Sequence, residues 1–115
     1  MYQLYYDEDQ LDVDVKLAHL KQVSNPKRVI ENAQHYFKDP NIRVYLSPVK
    51  KKKYSVYDPN HKKLISFGHI EYENYTHHQD EKRRENYLKR ASNMRGNWRN
   101  NPYSSNNLSI NILWQ

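Results

Sequence analysis

The chain has 115 residues, the length of one domain, and a formal net charge of +6 at pH 7. It contains no cysteine, so disulfides and thiolate metal sites are excluded. No apolar run approaches the roughly 18 residues of a membrane span, and the acidic N-terminus lacks the basic-then-apolar order of a secretory signal, so we expect a soluble intracellular protein.

Residues 1–24 are predicted to form an acidic N-terminal arm that is extended or partly disordered. Residues 1–15 hold five acidic residues and no Lys or Arg. Residues 1–12 show no sustained hydrophobic period, and the pattern over 12–23 fits a strand early and a helix late. Residues 25–115 are predicted to form a single α+β domain.

A helix is predicted from about 26 to 38. Asn25 is a typical N-cap, and Pro26 suits the first helical position. Asp39 and Pro40 are expected to end the helix, because proline restricts the residue before it. Apolar side chains at three- and four-residue spacing form one face of this helix: Val29, Ile30, Ala33, Tyr36 and Phe37.

A small antiparallel sheet is predicted between about 42 and 68. Apolar residues alternate with polar ones from 42 to 46, which indicates a half-buried strand. A strand over 54–57 and a return strand ending at Gly68 form a central hairpin, with Pro59 in its turn. The lysine run at 50–53 is either a solvated loop or a loop that contacts phosphate.

Two further helices are predicted near 80–95 and 105–114, after a loop or irregular strand over 69–79. Asp80 and either Ser104 or Ser105 are expected to be the N-caps, and Gly96 is expected to end the first of these helices. Its inner face is predicted to consist of Tyr87, Leu88, Ala91 and Met94. The predicted fold class is therefore α+β, with a small antiparallel β-sheet and central hairpin packed by three helices.

The strongest functional signal is a set of basic residues on the hairpin and on the helix near 80–95. Residues 16–115 hold 19 basic and 8 acidic residues, a net charge of +11. Such a surface would attract a phosphate backbone, although a basic charge also occurs in proteins that bind no polyanion. Tyrosines at 54, 57, 72 and 75 either stack on unpaired bases or belong to the core. The candidate nucleic-acid-binding residues are Lys50, Lys51, Lys52, Lys53, Lys62, Lys63, Arg83, Arg84, Lys89, Arg90, Arg95 and Arg99.

No catalytic residue, metal ligand or cofactor is predicted. Histidines at 69, 77 and 78 lie near Asp80, at a hairpin–helix junction that loosely resembles small metal-dependent nucleases. Their spacing is not diagnostic, because neighbouring residues of an extended segment point to opposite sides. His78 is expected to make a structural hydrogen bond near the helix start. With two glycines in the chain, a Gly-rich phosphate loop is excluded.

The chain from about 42 to 114 carries a distinctive series of residues: Lys52, Lys53, Tyr54, Asp58, Pro59, Phe67, Gly68, Tyr72, Tyr75, Thr76, His78, Asp80, Arg83, Arg84, Tyr87, Leu88, Arg90, Gly96, Trp98, residues 103–109, Leu113 and Trp114. This series resembles a family of small basic, largely uncharacterised proteins of large nucleocytoplasmic DNA viruses, including mimivirus-like viruses. Ser105, Gln79 and the pair at 60–61 depart from the residues common there. The resemblance implies a viral origin and a location in the host cytoplasm (the viral factory) or in the virion.

The leading prediction is a non-enzymatic viral protein that binds nucleic acid through a cationic face of the hairpin and helix. One alternative is a minor capsid or cement-type structural protein of the virion, and another is a metal-dependent nuclease. The predicted partners are nucleic acid or other virion proteins. Neither a membrane nor a small-molecule substrate is expected.

Overall fold

The computed structural model describes residues 3–115 and contains a three-stranded antiparallel sheet with five α-helices around it. The elements in chain order are α1 (Val13–Val23), α2 (Pro26–Phe37), β1 (Tyr45–Leu46), β2 (Lys52–Asp58), β3 (Lys63–His69), α3 (Tyr75–His78), α4 (Glu81–Ser92) and α5 (Ser105–Leu108). A 3-10 turn (Trp98–Asn100) precedes α5, and a π-helical turn (Ser109–Leu113) follows it. The predicted α+β class with a small antiparallel sheet is confirmed.

The sheet has the order β1-β2-β3, and β2 and β3 form the predicted hairpin. Its register places Lys52 opposite His69 at the open end. The first strand is shorter than predicted, and its residues also pair with the N-terminal segment. The Tyr5 N–H donates to the Val44 carbonyl at 3.0 Å, and the Leu46 N–H donates to the Tyr5 carbonyl at 2.8 Å.

Three predicted N-caps are confirmed. Asn25 accepts from the Arg28 N–H at 3.3 Å, Asp80 accepts from the Lys82 N–H at 3.0 Å, and Ser104 accepts from the Asn107 N–H at 3.2 Å. The predicted end of α4 is wrong. This helix ends at Ser92, before Gly96, and Met94 is 54% exposed instead of lying on the inner face. Asn93 ends α4, and its side chain donates to the Lys89 carbonyl at 2.9 Å.

The prediction of an extended N-terminal arm is wrong for residues 13–23, which form α1. Leu20 is buried in the core, and its burial stabilises a helix whose own hydrophobic pattern was ambiguous; Leu4, earlier in the predicted arm, is also buried. The Lys16 ammonium also donates to the carbonyls of Ser47 and Val49, at 2.6 and 2.9 Å. Residues 1 and 2 of the predicted arm lie outside the described residues.

A buried polar network joins the hairpin to the helices. The Tyr54 hydroxyl donates to Ser24 Oγ at 2.7 Å, and the Asn74 side-chain amide donates to the same oxygen at 3.1 Å. Ser24 lies between α1 and α2, and Asn74 is the N-cap of α3, a helix in a segment that was predicted as a loop or irregular strand. Because each of these polar groups has a partner, the network can lie beside the apolar core formed by Tyr54, Phe67 and the helices.

None of the helices within residues 3–115 has the length and apolar character needed to cross a bilayer.

Candidate nucleic-acid interface

A cleft of about 450 Å³ lies between the open end of the hairpin, the loop at 69–74, α4 and the C-terminal turn. Four of the twelve predicted basic residues line it: Lys52, Lys53, Arg83 and Arg90. The other lining residues are Gly68, His69, Tyr72, Glu73, Asn74, Asn86, Tyr87, Ser109, Leu113 and Trp114. We refer to this site as the cationic cleft.

Local geometry explains why the arginines meet there. Arg83, Asn86, Tyr87 and Arg90 have the spacing i, i+3, i+4 and i+7, so they lie on one face of α4. The Asp80 cap sets the start of this helix. The hairpin contributes Lys52 at the first position of β2. Residues more than 30 positions apart in the sequence thus converge on one surface.

The C-terminal wall of the cleft is fixed to α4 by aromatic and polar contacts. The rings of Tyr87 and Trp114 are stacked, with centroids 4.1 Å apart and planes at 8°. Arg84 Nε donates to the Trp114 carbonyl at 2.7 Å, and its guanidinium lies 5.3 Å from the Tyr75 ring centroid. Arg84 therefore supports the wall from a position outside the lining.

Glu73 is the acidic residue of the cleft, and it partly neutralises Arg83. Its carboxylate lies 3.5 Å from Arg83 Nη1 and 3.2 Å from His77 Nδ1. The hydrogen bond with His77, together with the Arg83 charge, holds the pKa of Glu73 below its usual range, so this carboxylate is anionic at pH 7. Lys52 and Arg90, in contrast, form no ion pair with any residue of 3–115. Their charges are available to an anionic ligand.

Lys53 is buried, although the lysine run at 50–53 was predicted to form a surface loop. It is 2% exposed, and its ammonium donates to the carbonyls of His69 and Tyr72. Burial, with a contribution from the charge of Lys52, lowers the pKa of Lys53 to about 8. Residues 52 and 53 are both in β2, so the run is not one solvated loop, and the ammonium of Lys53 is held by backbone carbonyls.

Eight predicted basic residues lie outside the lining of the cleft: Lys50, Lys51, Lys62, Lys63, Arg84, Lys89, Arg95 and Arg99. Lys63 lies opposite Asp58 in the strand register at the closed end of the hairpin, six residues and roughly 20 Å along β2 from Lys52. The structure therefore brings four of the twelve basic residues together in the cleft and places Lys63 at the opposite end of the hairpin. Lys52 lies at one end of the seven-residue strand β2, and Lys63 lies beside its other end. The sequence alone does not give the distance between these two side chains.

Some of these residues have local partners instead. Lys89 pairs with Glu85 at 3.5 Å on the exposed side of α4. Arg99 donates to the Ser92 carbonyl, and its guanidinium lies 4.4 Å from the Trp98 ring centroid. The Arg99 contacts hold the chain that follows α4, and neither Lys89 nor Arg99 lines the cleft.

The histidines of the junction make separate local contacts. The predicted structural role of His78 is confirmed, since its Nδ1 accepts from the Asp80 N–H at 2.9 Å. The His69 ring packs against Tyr72, with centroids 4.7 Å apart, and His77 pairs with Glu73. In the part of the chain that the structure describes, no three His, Asp or Glu residues are grouped so that they could hold a metal ion.

Two comparisons find no relative, since no curated protein and no solved structure matches the chain. The predicted viral origin and location accordingly stay predictions. A family model does match part of the chain, from β1 to near the end of α4, and this part includes Lys52, Arg83 and Arg90. Over residues 42–91 the chain is similar to a family of unknown function (DUF5754).

Proposed function

We propose that the protein binds nucleic acid through phosphate contacts in the cationic cleft. The observation that supports this proposal is the convergence of Lys52, Arg83 and Arg90 on one cleft of about 450 Å³. An arginine guanidinium can donate two parallel hydrogen bonds to one phosphate, and a lysine ammonium acts as a point charge. Three such groups around one depression suit a ligand that carries several phosphates.

The contacts would be made mainly to the backbone of the nucleic acid. Each phosphate neutralised by a cation releases counterions. Each such contact therefore raises log Kd by about 0.7–0.9 for a tenfold increase in salt concentration. Three contacts predict a total slope of roughly 2–3. Binding should accordingly weaken steeply as the salt concentration rises.

The test is fluorescence anisotropy with a labelled oligonucleotide at several salt concentrations, comparing the protein with the Arg83→Gln/Arg90→Gln variant. We expect at least tenfold weaker binding, because two charge-assisted phosphate contacts are removed. The salt slope should also fall by about 1.5, the share of those two contacts. Both side chains are exposed, so the variant should fold normally.

The matched control is Lys62→Gln/Lys63→Gln, which removes the same charge at the closed end of the hairpin. This variant should bind nearly as well as the unaltered protein. If both double variants lose affinity equally, general surface charge explains the binding and the assignment to the cleft is wrong. If the unaltered protein binds no oligonucleotide even at low salt, the proposed function is wrong.

One substitution in the cleft is expected to increase the affinity for nucleic acid. Glu73→Gln removes the carboxylate that pairs with Arg83, so the guanidinium becomes fully available to phosphate. Because exposed ion pairs contribute up to about 1 kcal/mol, we expect binding to tighten about two- to fivefold in the same anisotropy assay. Glu85→Gln is the control, since it changes the net charge equally but pairs with lysines outside the cleft. An equal gain in both variants would contradict the role assigned to Glu73.

A further inference from the structure

Tyr72 is an aromatic side chain that the core does not use. It is 66% exposed, whereas Tyr54 is fully buried. It also lines the cationic cleft, in the same loop as Glu73 and close to the end of β3. The exposed Tyr57, at 46%, lies elsewhere on the hairpin and does not line the cleft. An exposed aromatic ring beside cationic side chains is the combination found in sites that bind single-stranded nucleic acid.

The backbone that carries Tyr72 is held in place. The buried ammonium of Lys53 donates to the carbonyls of His69 and Tyr72, at both ends of this short turn. The Ile70 N–H donates to the Lys51 carbonyl at 2.9 Å, and His19 Nε2 lies 2.9 Å from the Ile70 carbonyl. With its backbone already ordered, the tyrosine loses less conformational entropy when its ring stacks on a ligand.

The chemistry around this ring matches one nucleotide unit of a strand. A nucleotide presents a phosphate and a flat base, and the cleft presents cations and an exposed aromatic ring. The volume of about 450 Å³ lies in the range of pockets for small ligands, and it is too small to admit a duplex. In a duplex, moreover, both faces of each base are covered by its neighbours, so stacking on a side chain would require unstacking at a cost of a few kcal/mol.

We infer that the cationic cleft takes single-stranded nucleic acid, with one unpaired base stacked on Tyr72 while Lys52, Arg83 and Arg90 contact the adjoining phosphates. This inference rests on the proposed function and adds to it the class of nucleic acid. Base–aromatic stacking tolerates any base, because each base has a flat π-face. Binding is therefore expected to favour single strands over duplexes without strong sequence preference.

The test compares Tyr72→Ala with the unaltered protein on a 12-nucleotide single strand and on the duplex of the same sequence. We expect about tenfold weaker binding of the single strand, the effect of removing one stacked base, and less than a twofold change for the duplex. Tyr72→Trp should restore single-strand binding, since the indole offers a larger stacking surface. A 12-unit abasic strand serves as an internal control, because it keeps the phosphates but has no base to stack. Its affinity should be the same for Tyr72→Ala and for the unaltered protein.

The outcomes separate this inference from the proposed function. If Arg83→Gln/Arg90→Gln weakens binding but Tyr72→Ala leaves single-strand binding unchanged, the cleft binds phosphate and the stacking role is wrong. Equal losses for Tyr72→Ala on single strand, duplex and abasic strand would also overturn the inference. If a mononucleotide binds as tightly as the 12-mer, the ligand is a free nucleotide and the inference of a single strand is wrong. A loss confined to single strands that carry bases would support the inference.

Discussion

Gly68→Ala is expected to destabilise the protein by about 3 kcal/mol. Gly68 has φ of +81°, a conformation that costs an L-residue roughly 1–2 kcal/mol. A Cβ at this position would also lie 2.6 Å from Leu113 Cδ1. Leu113 is 1% exposed and belongs to the core, so its side chain would have to be displaced from that packing, and such overpacking costs roughly 1–3 kcal/mol.

Gly96→Ala is the matched control for this effect. Gly96 also has a positive φ, of +100°, but no heavy atom lies within 4 Å of the position that a Cβ would occupy. Urea denaturation should therefore show a loss of roughly 1–2 kcal/mol for Gly96→Ala, from backbone strain alone. Truncation of Leu113 in the Gly68→Ala background should cost less than the same truncation in the unaltered protein. Equal losses for the two glycine variants would contradict a close contact between Gly68 and Leu113.

Lys53 is expected to make the stability depend on pH in an unusual direction. Its pKa is about 8 in the folded protein, below the ordinary lysine value of 10.5 in the unfolded chain. Above pH 8 the unfolded chain therefore binds more protons than the folded protein, and the free energy of unfolding increases with pH. Between about pH 7 and 9.5 the contribution of this group should grow by about 2 kcal/mol.

The measurement is urea denaturation of the protein and of Lys53→Met across this pH range. The difference in unfolding free energy between the two should change by about 2 kcal/mol in favour of the lysine protein, since the methionine side chain does not titrate. Burial raises the pKa of Tyr54 and of Tyr87, so both proteins lose stability as tyrosines ionise near about pH 10, and this loss cancels in the difference. Lys51→Met, at an exposed position, is the control. Parallel curves for Lys53→Met and the unaltered protein would show that Lys53 is not buried as a cation.

The features that were predicted correctly depend on short-range interactions. Asn25 and Asp80 cap helices through hydrogen bonds to residues two or three positions away, so their signals are contained in a few neighbouring residues. The hairpin likewise follows from a proline-containing turn between two strands of suitable composition. The arginines at 83 and 90 share a face for the same kind of reason, because helical periodicity alone places them together.

The incorrect predictions concern features that depend on contacts between distant parts of the chain. The helix at 13–23 is stabilised by burial of Leu20, and α3 is held by the hydrogen bonds from Asn74 to Ser24 and Val23. Neither contact can be predicted from a pattern among neighbouring residues of the sequence. Tyr72 is one of eleven tyrosines, and the sequence carries no signal that separates this exposed residue from the buried Tyr54.

The amino-acid sequence by itself determined the α+β class, the helix caps, the hairpin and the excess of positive charge. Only the tertiary structure decided which of those charges meet, which lysine is buried and which tyrosine remains exposed beside the cleft. The physical reason is that local propensities act over a few residues. The position of a side chain relative to a distant one depends on how the elements pack, and that is set by burial of apolar surface across the whole chain.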